Sequence, residues 1–169
     1  MHAEAGHFAA LPQPDRVGSN TRAALLKRGA LDDPGYRPAA LTPAGLRALR
    51  AVTGRVLPGC GIDLAARIDT MLADGDGDGD GWRLDVLRPA APAYRVALAS
   101  LDYAAQAAFG QPFADLHSCD QDGLLVAAAA GRLDAAPLGA SRMKLWFEDA
   151  RIAAVRLHMS HTATMARTG

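Results

Sequence analysis

LTPAGLRALRAVTGRVLPG, Leu41 to Gly59, decides the fold class. Thr42 stands immediately before Pro43. A threonine hydroxyl can accept from the unpaired amides of a first helical turn, and proline at the first helical position gives up an N–H that would have no partner there. Leu46, Leu49, Val52 and Val56 then recur at helical spacing until Pro58-Gly59 stops the run. The same grammar repeats in both directions. Downstream, Ile62, Ala65, Ile68 and Leu72 mark a second helix that runs into DGDGDGDGW, Asp74 to Trp82. Trp82, Leu84 and Leu87 form a short apolar patch before Pro89. Pro92 then opens a helix with Tyr94, Leu98, Leu101, Ala105 and Ala108 on one face, closed by Gly110. Ser118 with Gln121 reads as a capping box for a helix through LLVAAAA to Gly131. RLDAAPLGA is a loop.

The last helix is expected from Ser141 to Met165, with two apolar rows. One is Leu145, Ile152, Val155 and Met159; the other is Trp146, Ala150, Ala153 and Leu157. Two rows exceed what one core face requires, so the helix either runs through the bundle centre, the default reading, or offers a row to a partner. Lys144 and Glu148 form an i,i+4 pair. Upstream, Asn20-Thr21 can cap a short helix to Arg28, and LDDPGYRP is a turn-rich linker. Residues 1–19 read as disordered or loosely packed, and 20–169 as one helical domain. No segment alternates with period two. The prediction is an all-α, single-domain bundle of about six helices with a long C-terminal helix.

Composition agrees. Half the residues are hydrophobic but only 5% are aromatic, which favours closely packed helices over sheets of branched and aromatic side chains. Lys+Arg and Asp+Glu balance at 18 each, so no global charge points to nucleic acid or an anionic membrane. Locally, acid concentrates between Asp63 and Asp85 and base between Arg142 and Arg167. Cys60 and Cys119 are too few for a disulfide framework and form no CxxC pair; two inert thiols are the favoured reading. No apolar run approaches the roughly 20 residues of a membrane span, so no direct insertion is expected. The N-terminus shows neither a signal peptide nor a twin-arginine pair.

The Asp-Gly repeat is the first place to look for chemistry. Asp74, Asp76, Asp78, Gly79 and Asp85 can be laid on an EF-hand loop, with oxygen ligands suited to Ca²⁺. However, Gly81 falls where an aliphatic residue should pin the loop, the closing bidentate glutamate is an aspartate, and the glycines make ordering costly. A solvated acidic spacer is favoured, with a stand-alone Ca²⁺-binding or interaction protein using Asp74–Asp85 as the alternative. The glycines also miss the dinucleotide fingerprint. His158 and His161 have the spacing for a shared metal but no clear third ligand. Neither Ser118-Cys119 nor Ser160-His161 stands in a nucleophile motif. No motif amounts to a catalytic or cofactor-binding site, and the residues read as a helical binding or structural module.

The order of segments then becomes informative. LTPAGLRALRAVTGRVLP, an apolar helix ending in an acidic loop with GDGW, YRVALASLDYAAQAAFGQPFADLHSCDQDGLL, and the closing LWFEDARIAAVRLHMSHTATMARTG together resemble the gluconate 2-dehydrogenase subunit 3 family over roughly residues 20–169. The most specific piece is LD-x-x-A-x-x-x-FG-x-PFADL, in which Gly110 and Pro112 end a helix and Phe113 and Leu116 fold back on it. The resemblance implies a non-catalytic small subunit of a bacterial FAD-dependent sugar, alditol or sugar-acid dehydrogenase. FAD would reside in a large flavoprotein partner of the glucose–methanol–choline type, and a membrane cytochrome subunit often joins the complex. It further implies a role in stability and maturation of the partner. Location would be periplasmic, by twin-arginine co-export on a signal borne by that partner; a cytoplasmic pair is the alternative. Departures are Thr162 after Ser160-His161, where the family often has proline, the lack of an aromatic, Gly-rich tail, and PGCG at Pro58–Gly61.

The interface is expected on the last helix, through Trp146, Phe147, Arg151, His158 and His161, together with Trp82. Trp146 and Phe147 are consecutive and point about 100° apart. A shallow core could not take both, so one is expected to be an exposed anchor.

Overall fold

In a computed structural model of the chain, the residues described are 18–75, except 20, 22–25, 27 and 28, and 90–161. Thr42 starts the first helix as its sequence requires: its Oγ1 accepts from the Gly45 amide at 3.0 Å, with Pro43 in the first turn. This helix, α1, spans Pro43–Val56 and buries Leu46, Ala48, Leu49 and Val52. The second, α2, spans Leu64–Ala73; Asp63 caps it through the Ala66 amide at 3.1 Å, so it starts two residues after Ile62. The third, α3, spans Ala90–Phe109 and begins before Pro92, which the first turn tolerates. Its inner face carries Tyr94, Leu98, Leu101 and Ala105, all buried, whereas Ala108 is exposed.

Between α3 and the fourth helix the chain folds back. Gly110 takes a positive φ of 72°, a conformation that favours glycine, and Phe113 enters the core at the head of a 3₁₀ turn, Phe113–Asp115. Phe113 is held at both backbone ends: its amide donates to Asp102 Oδ1 at 3.0 Å and its carbonyl accepts from Gln121 Nε2 at 3.0 Å. The expected fold-back is therefore present, and Leu116 packs against the core beside it. The capping box is not. Helix α4, Ser118–Ala129, has His117 as its N-cap with no side-chain cap bond. Gln121 is drawn away because the buried Phe113 carbonyl needs a donor, and an unmet buried carbonyl costs more than an open helix end that water can satisfy.

The last helix, α5, spans Ala140–Ser160. It stops short of Met165: the Ser160 hydroxyl donates to the Leu157 carbonyl, the His161 amide to the His158 carbonyl, and His161 is already extended. Five α-helices and no strand occur among the described residues, apart from a single bridge, Ala135–Leu138, in the loop before α5. The fold is all-α, as expected. The short helix read near residues 20–28 lies largely outside the described residues. Helix α5 packs against α1, α2, α3 and α4 and is the common wall of one hydrophobic core. Two buried polar groups fasten other elements to α3. Ser100 Oγ donates to the Val96 carbonyl and accepts the Leu138 amide at 3.1 Å, pinning the loop before α5 onto α3. Tyr94 donates to Asp149 Oδ2 at 2.8 Å; burial, then this carboxylate, holds its phenol well above the ordinary range.

Candidate functional site

The candidate residues converge on α5, and the two sides of this helix differ. At 100° per residue, Met143, Trp146, Phe147, Ala150 and Ala154 share one side, and all are buried. Trp146 and Phe147 both enter the core. Trp146 is fully buried with Tyr94 edge-on at 6.1 Å, and Phe147 lies 6.5 Å from Trp146 with the Arg151 guanidinium 6.0 Å over its ring. The expectation that one of them is exposed is corrected. Because α5 has neighbours on several sides, the core wraps through more than the single direction a shallow face offers.

The opposite side carries the second apolar row. Ile152 is 37% exposed, Val155 43% and Met159 52%, while Leu145, nearer the N-terminus, is half-buried. The default reading, burial of both rows in the bundle, is thus also corrected: the row with Trp146 and Ala150 is core, and the row with Ile152 faces solvent. Arg151 and Arg156 flank that row and are exposed. Lys144 and Glu148 do meet, at a loose 3.9 Å and half-exposed, a contact of little energetic weight.

At the C-terminal end of α5 lies a cluster that sequence spacing could not assemble. His161 is buried and has the Ala30 backbone as a hydrogen-bonding neighbour, with Arg67, Asp32 and His158 close by. Arg67 ties the same loop to α2, donating to the Ala30 carbonyl and to Asp32 Oδ1. Asp32 also accepts the Asp63 amide. His158 is half-buried, and its Nδ1 is buried without a hydrogen-bond partner. The two histidines are adjacent, yet no group of three His, Cys, Asp or Glu side chains able to hold a metal occurs among the described residues.

This cluster has a pH consequence. Burial first, then the positive charge of Arg67, lowers the His161 pKa below its ordinary 6.5, against an opposing pull from Asp32. The folded state thus favours neutral His161, and the unfolded chain protonates first as pH falls. The resulting stability is complete above about 6.5 and declines as pH drops from there towards the folded value. His161→Gln is expected to flatten this decline, which urea unfolding at pH 7.5 and at pH 5.5 can read.

Asp69, a residue that sequence reasoning passed over, organises the same edge. It is fully buried on α2 and accepts four hydrogen bonds: the Ala39, Ala40 and Leu41 amides at 2.6, 3.2 and 2.6 Å, and the Tyr36 hydroxyl at 2.7 Å. The segment entering α1 is thereby laid across α2. Arg95 Nε, donating to the Ala40 carbonyl at 2.6 Å, fastens it to α3 as well. The one sequence cue was an acid set among Ala65, Ala66, Ile68 and Leu72, a position that solvation does not explain.

Asp74 is exposed and ends α2, whereas Asp76, Asp78, Asp85 and Trp82 lie outside the described residues. Cys60 and Cys119 are unpaired; the Cys60 thiol donates to the Ile62 carbonyl. A depression of about 340 Å³ beside Cys60 is edged by Arg50 and Asp63, which bind each other at 2.6 Å, so its charges are already answered. Among the described residues no helix is long and apolar enough to cross a membrane.

The helices and their order can now be set beside known proteins. The sequence model of the gluconate 2-dehydrogenase subunit 3 family matches residues 45–167, from the first turns of α1 to beyond the end of α5. The chain belongs to that family. No curated protein matches it, and no solved structure does. The family is named for a subunit of gluconate 2-dehydrogenase, which places the chain among subunits of dehydrogenase complexes. For this subunit 3 member, the buried polar groups Asp69, Ser100 and Gln121 and the half-buried Asp102 have structural partners within the chain.

Proposed function

We propose that this protein is a non-catalytic accessory subunit that binds and stabilises a large FAD-dependent dehydrogenase of the glucose–methanol–choline type. The large partner carries the flavin and oxidises a sugar, an alditol or a sugar acid. The pair is exported folded on the partner's twin-arginine signal to the periplasm, where a membrane cytochrome subunit can receive electrons. The observation that carries this reading is the match to a subunit family across all five described helices. The arrangement of side chains supports it. Buried acids and hydroxyls act here as internal fasteners, and the unusual feature of the surface is an apolar row along the longest helix.

A helical scaffold with such a row stabilises a partner by covering surface that would otherwise face water, a mass-action effect on the folded form of that partner. Co-expression of the large flavoprotein with and without this chain tests the reading. With it, the flavoprotein is expected to be soluble, flavin-loaded and active; without it, the yield of flavin-loaded protein is expected to fall about tenfold or more. Equal solubility, flavin content and activity in both cases would sink the proposal.

A further inference from the structure

We infer that residues 30–32 and the C-terminal end of α5 form a latch that opens locally when His161 gains a proton. Such a device is independent of which protein the chain binds. The segment before α1 is held in two different ways. Its rear is fixed: Tyr36, Ala40 and Leu41 pack in or against the core, and Asp69 takes the Tyr36 hydroxyl and the amides of residues 39–41. Its front carries no buried side chain; Ala30 and Asp32 are exposed, and Leu31 is 96% exposed. Polar bonds hold the front down. Arg67 donates to the Ala30 carbonyl and to Asp32 Oδ1, Asp32 Oδ2 accepts the Asp63 amide, and His161 hydrogen-bonds to the Ala30 backbone. Between front and rear lies a turn, closed by the Gly35 amide on Asp33 Oδ1 and the Tyr36 amide on the Asp33 carbonyl. A polar front, a turn and an anchored rear are the parts of a hinged strap.

Charge decides when the front lifts. His161 is 8% exposed, and the charged or titratable groups facing it among the described residues are Arg67 on α2, Asp32 in the strap and His158 on its own helix. Asp32 is the carboxylate of this group, and both its oxygens are engaged, by Arg67 and by the Asp63 amide. The Asp63 carboxylate is itself taken by Arg50 and the Ala66 amide. A proton on His161 therefore sets a second cation beside the Arg67 guanidinium without a second carboxylate to answer it. Burial and like charge both oppose that state. Opening relieves both, because water then reaches the imidazole and screens it from Arg67. The same water supplies His158 Nδ1, which is buried without a hydrogen-bond partner in the closed form. The closed latch thus prefers neutral His161. It is tightest above about pH 6.5, the ordinary histidine value, and loosens as pH falls from there.

Hydrogen exchange on the full chain, followed by NMR at about pH 7.5 and 5.5 and corrected for intrinsic exchange rates, reads the opening residue by residue. The reporters are the Asp63 amide, bound to Asp32, and the His161 amide, bound to the His158 carbonyl. Their protection is expected to fall several-fold between the two conditions; one titrating site contributes at most about tenfold per pH unit. The buried Leu138 amide, bound to Ser100, is expected to be about a hundredfold or more better protected at both pH values. Low urea is expected to speed exchange at Leu138 and to leave the two latch amides unchanged, because a local opening exposes little surface. His161→Gln is expected to remove the pH response of the latch amides, and His158→Gln to keep it. In wild type the His161 ring resonances are expected to titrate in step with the loss of protection, a readout that needs no variant. Equal protection of the latch amides at both pH values overturns the inference. So does a pH response that survives His161→Gln, or a ring titration out of step with the opening. Latch amides as well protected and as urea-sensitive as Leu138 also overturn it, since acid then acts on the whole bundle. None of these results touches the accessory role.

Discussion

Asp69→Ala is expected to lower stability by about 3–5 kcal/mol, the range for removing one side of a fully buried, multiply bonded polar cluster. The cost follows from what is left behind. Asp69 has no exposure to water, and its two oxygens accept from the Ala39, Ala40 and Leu41 amides and from Tyr36. Alanine would strand three consecutive backbone donors, two of them on the buried residues Ala40 and Leu41, at the entrance to α1. Tyr36 would keep only its contact with Thr70 at 3.0 Å. For a domain of this size the loss corresponds to a fall in Tm on the order of 10 °C. Asp69→Asn, which retains one acceptor but turns an amide donor towards backbone N–H groups, should fall between alanine and wild type. A melt of Asp69→Ala that overlays wild type would show that the segment entering α1 is not held by this carboxylate.

Trp146→Ala should cost about 3–5 kcal/mol, the range for truncating a fully buried aromatic. Trp146 has no exposed surface and meets Tyr94 edge-on, at an interplanar angle of 79°. It is also the place where α5 faces the start of α3, through the neighbouring Tyr94–Asp149 bond. Its indole Nε1 is buried without a partner, a standing cost that makes the residue less stabilising than its area implies. Trp146→Phe removes that donor along with one ring. It should therefore cost less than half as much as alanine, and denaturant titration of the three proteins measures the difference. Equal costs for phenylalanine and alanine would mean that the indole donor is satisfied in solution.

These two residues show how far the sequence could be read. Local signals were legible because they act within a few residues. Thr42-Pro43 announced α1, Gly110-Gln111-Pro112 announced the turn, and Phe113 was placed correctly inside it. What failed depended on groups distant in sequence. Ser118 and Gln121 had the spacing of a capping box, but the Phe113 carbonyl, farther along the chain, claimed the glutamine. Asp69 is explained only by amides about thirty residues upstream, which no periodicity could bring to it.

The α5 rows illustrate the same limit. Both were visible in the sequence, but spacing alone could not say which faced inward. The aromatic pair, expected to divide between core and surface, went wholly to the core because α5 has neighbours on several sides. The surface role passed to Ile152, Val155 and Met159, which counting had grouped with Leu145 as an undifferentiated row. The histidines took a third role. His161 locks the end of α5 against residues 30–32 and Arg67, a contact between segments far apart in sequence.

In the proposed role, this helical chain works as the bound companion of a flavoprotein. Sedimentation of the co-expressed pair, followed by flavin absorbance, tests it most directly. The flavin is expected to sediment with both chains as one complex, and to move to the lighter, large-subunit position when this chain is absent. Flavin that sediments at the same rate with and without this chain would contradict the claim.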